Sequence, residues 1–165
     1  MTDNIAGARH WLDRVFYGTI TTAALLFGLE VQEIGSSPIS LVSLIWATGL
    51  GLLVAHGMAG VLSHRLTTHG RQPLGRYRSL FGEELPLLIP SGAATLGLII
   101  GAWLSDSRQW WLWAADLALA ALAGGIAFRV GTLANISVPQ RLALSLLIVA
   151  IVLAAAAAKL LVGEN

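Results

Sequence analysis

The 165-residue chain has no cysteine. That excludes disulfides, thiolate catalysis, iron–sulfur ligation and cysteine zinc sites together. Charge is also scarce: Asp, Glu, Lys and Arg make up 12% of the residues, where a soluble domain carries about 25%. The net charge of +1 is what remains of 10 basic and 9 acidic side chains, and no broad basic field is present to bind nucleic acid. Reaction-defining motifs are missing as well. There is no phosphate-cradling glycine loop, no serine nucleophile elbow and no zincin helix, so neither an enzyme nor a cofactor is expected. Four histidines occur, but His56 and His64, eight residues apart, would stand roughly 80° round and about 12 Å along a helix from one another. His64 and His69 have no carboxylate at the third or fourth position beyond them. No metal site is expected.

Apolar residues are abundant instead: 56% of the chain, with a mean hydropathy of +0.74. A soluble core of this length could not hide that much apolar surface. Five stretches of about 20 apolar residues, each sufficient or nearly so for a bilayer, predict an all-α, polytopic transmembrane bundle forming one domain. The spans are expected at about 12–29, 39–62, 85–104, 110–128 and 142–161. The mixed polar run from Met1 to Arg14 does not resemble a cleavable leader, so the first span is expected to be retained. Between the second and third spans, residues 63–84 carry Arg65, Arg71, Arg76 and Arg78 with Gly70, Pro73 and Gly75 to break a helix. Pro86 falls at the start of the third span and Pro90 a turn further in, where a kink is expected. Trp110, Trp111 and Trp113 open the fourth span as an interfacial belt.

Basic residues in short loops set orientation. Arg9, Arg14, Arg65, Arg71, Arg76, Arg78, Arg129 and Arg141 fall on one side of this threading, and only Arg108 and Lys159 on the other. The expectation is a multi-pass protein of the bacterial cytoplasmic membrane with its N-terminus and the 63–84 linker cytoplasmic and its C-terminus outside. The linker arginines are candidates for anionic lipid headgroups, at about 1 kcal/mol for each basic side chain near a charged surface. Ordinary positive-inside anchoring explains the same residues and is the preferred account.

Lipid supplies no hydrophobic drive between helices, so small residues that let backbones approach are the expected packing device. Ala47, Gly51, Ala55 and Ala59 form one such stripe in the second span, and Ala93, Gly97 and Gly101 another in the third.

Several segments together resemble a family of small actinobacterial integral membrane proteins. They are Tyr17-Gly18-Thr19-Ile20, Ala47-Thr48, Ala55-His56, the run from Glu83 to Leu88, and the closing Ala157-Ala158-Lys159-Leu160-Leu161. The resemblance implies a fold and a membrane address, with no catalytic residue to carry over. This chain departs from the family pattern after His56, where Gly57 and Met58 stand in place of a nearby tyrosine.

Three polar residues fall within or at the ends of spans. His56 is either a proton-relay or ligand-binding residue, or a neutral imidazole joining two helices. Asp116 is the costliest of the three and must face the bundle interior, as an ion-path carboxylate or as a protonated or paired structural group. Glu30, at the far end of the first span, reads as an interfacial carboxylate or an ion site. Two functional classes follow. One is a non-enzymatic accessory or scaffolding subunit, acting as a homo-oligomer or within a larger membrane complex. The other is a small channel or transporter with an ion or proton path through Glu30, His56 and Asp116.

Overall fold

A computed structural model describes residues 2–31, 37–68 and 81–163, with side chains described for 11–29, 37–63 and 81–154. Five helices occupy these residues, and no strand occurs among them: α1 (Thr2–Val31), α2 (Pro38–Thr68), α3 (Phe81–Leu104), α4 (Arg108–Leu133) and α5 (Val138–Gly163). Three are long and apolar enough to cross a bilayer: α2 over Pro38–Ser63, α3 and α4. The chain is an all-α bundle with the character of a membrane protein.

Local chemistry fixes the helix ends. At the start of α2 the Ser37 hydroxyl accepts from the Ser40 N–H at 3.2 Å, and the Ser40 hydroxyl donates back to the Ser37 carbonyl at 2.8 Å. Pro38 follows the cap, where its missing N–H is harmless. The start of α5 is closed by Gln140, whose Oε1 accepts from the Ser137 N–H at 3.2 Å and from the Ser137 hydroxyl at 2.9 Å. α4 ends in a Schellman turn. Asn135 takes φ 55°, the Ile136 N–H reaches the Gly131 carbonyl and the Asn135 N–H reaches that of Thr132, both at 3.2 Å. The fourth and fifth helices therefore run closer together than the apolar runs imply, at Leu133 and Val138 rather than residues 128 and 142. Around Pro86, α3 tightens into a 3₁₀ turn, Leu85–Leu88. Pro90 has no N–H to offer the Pro86 carbonyl, so the Ile89 N–H takes that acceptor instead.

Packing follows the chain order over α3, α4 and α5, whereas α1 packs chiefly on α3 and α4. The α3–α4 hairpin is closed by Trp111 Nε1 donating to the Ser105 carbonyl at 2.6 Å, and α5 returns along α4 with Ser145 Oγ donating to the Gly124 carbonyl at 2.8 Å. α1 lies antiparallel to α4. Its Leu12 and Val15 pack with Ile126, while its other end joins the main core, where Leu26 and Leu29 meet Leu41, Ile45, Leu98, Leu112 and Leu119. Arg108 reaches across to donate to the Leu29 carbonyl at 2.6 Å, a cation placed on the C-terminal carbonyls of α1. One end of the bundle therefore collects the start of α1, the end of α2, the start of α3, the end of α4 and the start of α5, and with them Arg14, Arg129 and Arg141. Arg108 stands at the other end.

Burial is uneven. Half of the most apolar window of α4 is buried, against 17% of that of α2. α4 is the central helix, and α2 is the least buried of the three apolar spans among the described residues.

Candidate functional site

The two small-residue stripes have different fates. A side chain at Gly97 would meet the Ala114 carbonyl oxygen and come within 2.6 Å of Ala115 Cα, and one at Gly101 would come within 2.7 Å of Trp111 Cα. This stripe, with half-buried Ala93, lets α3 and α4 approach backbone to backbone inside the chain. In α2, by contrast, Ala47, Gly51, Ala55 and Ala59 are all exposed, and nothing lies within 4 Å of a Cβ built at Gly51. α2 meets α3 through two glycines outside either stripe: Gly49 accommodates the Ser91 hydroxyl, and Gly57 accommodates the Phe81 ring. Helix position alone gives the reason. Gly49 and Gly57 are eight residues apart, and both lie some 200° round the helix from Gly51 and Ala59 respectively.

The outward stripe continues as an apolar face. Leu50, Val54 and Met58, each about half exposed, flank the small residues, giving a shallow ridged surface on the least buried of the three apolar spans.

His56 is half-buried near one end of the bundle. Its Nδ1 lies 3.1 Å from the Leu52 carbonyl, and its ring stands 5.2 Å from that of Tyr17 at a 59° tilt. A tyrosine does meet this histidine, but from α1 and not from the following turn of α2. Asp116 is 4% exposed within the α4 face that also buries Leu112, Ala115 and Leu119, and it is not without an interaction partner. Measured from the end of the bundle marked by Pro38 and Arg108, Asp116 is eight residues deep and His56 eighteen, a difference of about 15 Å along the helices. The side chains of Glu30 and Arg65 lie outside those described, and Arg71, Arg76 and Arg78 lie outside the described residues altogether.

One polar pair was not legible in the sequence. Arg14 of α1 and Glu84 at the start of α3 form an ion pair, Nη2 to Oε1, at 2.7 Å, with side chains 26% and 8% exposed. Arg14 Nε and Glu84 Oε2 are buried without a hydrogen-bond partner among the described residues. In sequence these two are a terminal basic residue and the last residue of a polar linker, 70 positions apart, and no local pattern joins them. A second inter-helix link runs from Trp46 Nε1 to Thr95 Oγ1 at 3.0 Å, and from Thr95 Oγ1 to the Ser91 carbonyl at 2.7 Å. Thr19 and Thr21 bond back to the carbonyls of Val15 and Tyr17 at 2.8 and 3.0 Å, the usual fate of threonine in an apolar helix. Among the described residues no group of three His, Asp or Glu side chains stands close enough to hold a metal ion.

Compared with protein-family models, curated proteins and solved structures, the chain finds no match.

Proposed function

We propose that this protein is a non-enzymatic accessory or scaffolding subunit of a bacterial cytoplasmic membrane, acting by lateral helix contact through the outer face of α2. It forms either a homo-oligomer or part of a larger membrane complex. The observation that carries this reading is the unused stripe: Ala47, Gly51, Ala55 and Ala59 repeat the spacing that Gly97 and Gly101 employ inside the chain, yet they face outward. Small residues at that spacing allow another helix to approach closely in lipid. The proposed threading has five crossings, the N-terminus cytoplasmic and the C-terminus outside. It is supported by Arg14, Arg129 and Arg141 gathering at one end of the bundle and Arg108 standing at the other.

Gly51→Leu tests the assembly. Nothing among the described residues lies within 4 Å of a Cβ at this position, so the subunit should insert and melt as wild type while its assembled form on native gels or by light scattering shifts to the lone subunit. An unchanged assembled size, or a wild type that is monomeric in every mild detergent, would sink the proposal.

The burial of Asp116 favours a second reading, a small channel or transporter. Under that reading Asp116→Asn abolishes ion flux in proteoliposomes while the protein remains folded. Under the structural reading Asn, which keeps hydrogen-bonding capacity, is nearly silent. Asp116→Leu then loosens the bundle by about 1 kcal/mol, in line with the modest value of hydrogen bonds between membrane helices. A thermal melt in detergent beside the flux assay separates the two.

A further inference from the structure

A groove of about 600 Å³ runs between α1 and the last three turns of α4. It is lined by Leu12, Ala121, Leu122, Gly125 and Ile126, together with Trp11 and Arg129. Nothing lies within 4 Å of a Cβ built at Gly125, so the depression is open to whatever surrounds the bundle. Arg129 is exposed and makes no hydrogen bond or ion pair among the described residues. Trp11 is 42% exposed.

Depth matters here. At 1.5 Å per residue α4 is about 39 Å long, several ångströms more than a hydrocarbon core of about 30 Å. Arg129, four residues from Leu133, is therefore at the boundary between acyl chains and headgroups, and its flexible stem carries the guanidinium outward. Gly125 and Ala121 lie progressively deeper. An indole beside the cation is the residue that prefers the same boundary. A neighbouring groove of about 290 Å³, on the other side of α1, is similarly apolar but is bordered by Asp13 and by no basic residue.

We infer that the α1–α4 groove is a binding site for an anionic phospholipid, one acyl chain lying over Ala121 and Gly125 and the headgroup phosphate on the Arg129 guanidinium. The complementarity is twofold. A hydrocarbon chain matches the apolar lining, and a phosphate matches a guanidinium unpaired among the described residues, which binds it through a planar fork of N–H donors. A zwitterionic lipid offers the same chain with no net charge, and a free phosphate ester offers the charge with no chain, so each should bind more weakly. The inference rests on the membrane character of the bundle and is independent of what covers α2.

The test is native mass spectrometry of the whole protein released from detergent micelles with phosphatidylglycerol or phosphatidylcholine added. Wild type should retain phosphatidylglycerol preferentially, and glycerol phosphate should not displace it. Arg129→Gln should lower retention by about fivefold or more, the contribution of one basic side chain at an anionic surface. Gly125→Leu, which fills the groove and leaves Arg129 in place, should lower retention of both lipids; Ala121→Phe serves the same purpose if the first variant folds poorly. Equal retention of the two lipids would overturn the inference, as would an unchanged Arg129→Gln. So would loss of the adduct on Arg71→Gln instead, or a two-copy species that Gly125→Leu dissociates.

Discussion

Gly97→Leu is expected to abolish the folded protein, with the yield of monodisperse material in mild detergent falling to near zero. A Cβ at this position already runs into the α4 backbone at Ala114 and Ala115, and main chain in the middle of a helix cannot move aside as a side chain can. Gly97→Ala should itself cost about 1–3 kcal/mol, the usual penalty for overfilling a packed interior. Gly92 of the same helix provides the control. Nothing lies within 4 Å of a Cβ there, so Gly92→Ala should be neutral or stabilise by up to about 1 kcal/mol through helix propensity. Thermal unfolding followed by circular dichroism distinguishes the two positions. A Gly97→Ala variant that melts with wild type would show that the α3–α4 contact is not as close as described.

The second large effect is expected at the ion pair. Glu84→Ala removes the carboxylate from a guanidinium whose Nε is buried without another partner. Breaking one side of a buried pair costs about 3–5 kcal/mol, and the lower end applies because Arg14 keeps a quarter of its side chain exposed. Replacing both partners by apolar residues, Arg14→Met with Glu84→Leu, should recover most of that loss, since no charge is then left uncompensated. A double-mutant cycle on unfolding midpoints measures the coupling. Additive single losses, or a Glu84→Ala variant as stable as wild type, would show that the pair does not hold α1 to α3.

Much of the architecture was legible in the apolar runs, because a bilayer demands long uninterrupted helices whatever their packing. The helix ends were less so. Arg129, Thr132 and Arg141 end the apolar runs without ending the helices, whose limits are set by the Asn135 turn and the Ser137–Gln140 contact. The Gly97–Gly101 and Gly51–Ala59 stripes look alike in sequence, and only the fold separates the one turned inward from the one turned outward. That ambiguity has a physical cause: lipid and a neighbouring helix are both apolar, so periodicity cannot tell which of them a face meets. Gly49 and Gly57 carry no sequence signal of their own, because a contact every eighth residue, interleaved with a denser stripe, leaves no distinct period. His56 and Asp116 could be singled out by cost alone, but their separation along the bundle depends on which ends of α2 and α4 are neighbours, and that is a property of the tertiary structure.

The most direct measurement of the central claim is site-specific photo-crosslinking in native membranes, with the photoreactive amino acid at Val54, beside Gly51 and Ala55 on the outer face of α2. The same probe at Leu146 of α5, which is 66% exposed, serves as the comparison. The assembly account predicts a discrete higher-mass protein adduct from Val54, lost when Gly51→Leu is added, and none from Leu146. Only lipid adducts from Val54, with the chain running as a monomer, would contradict it.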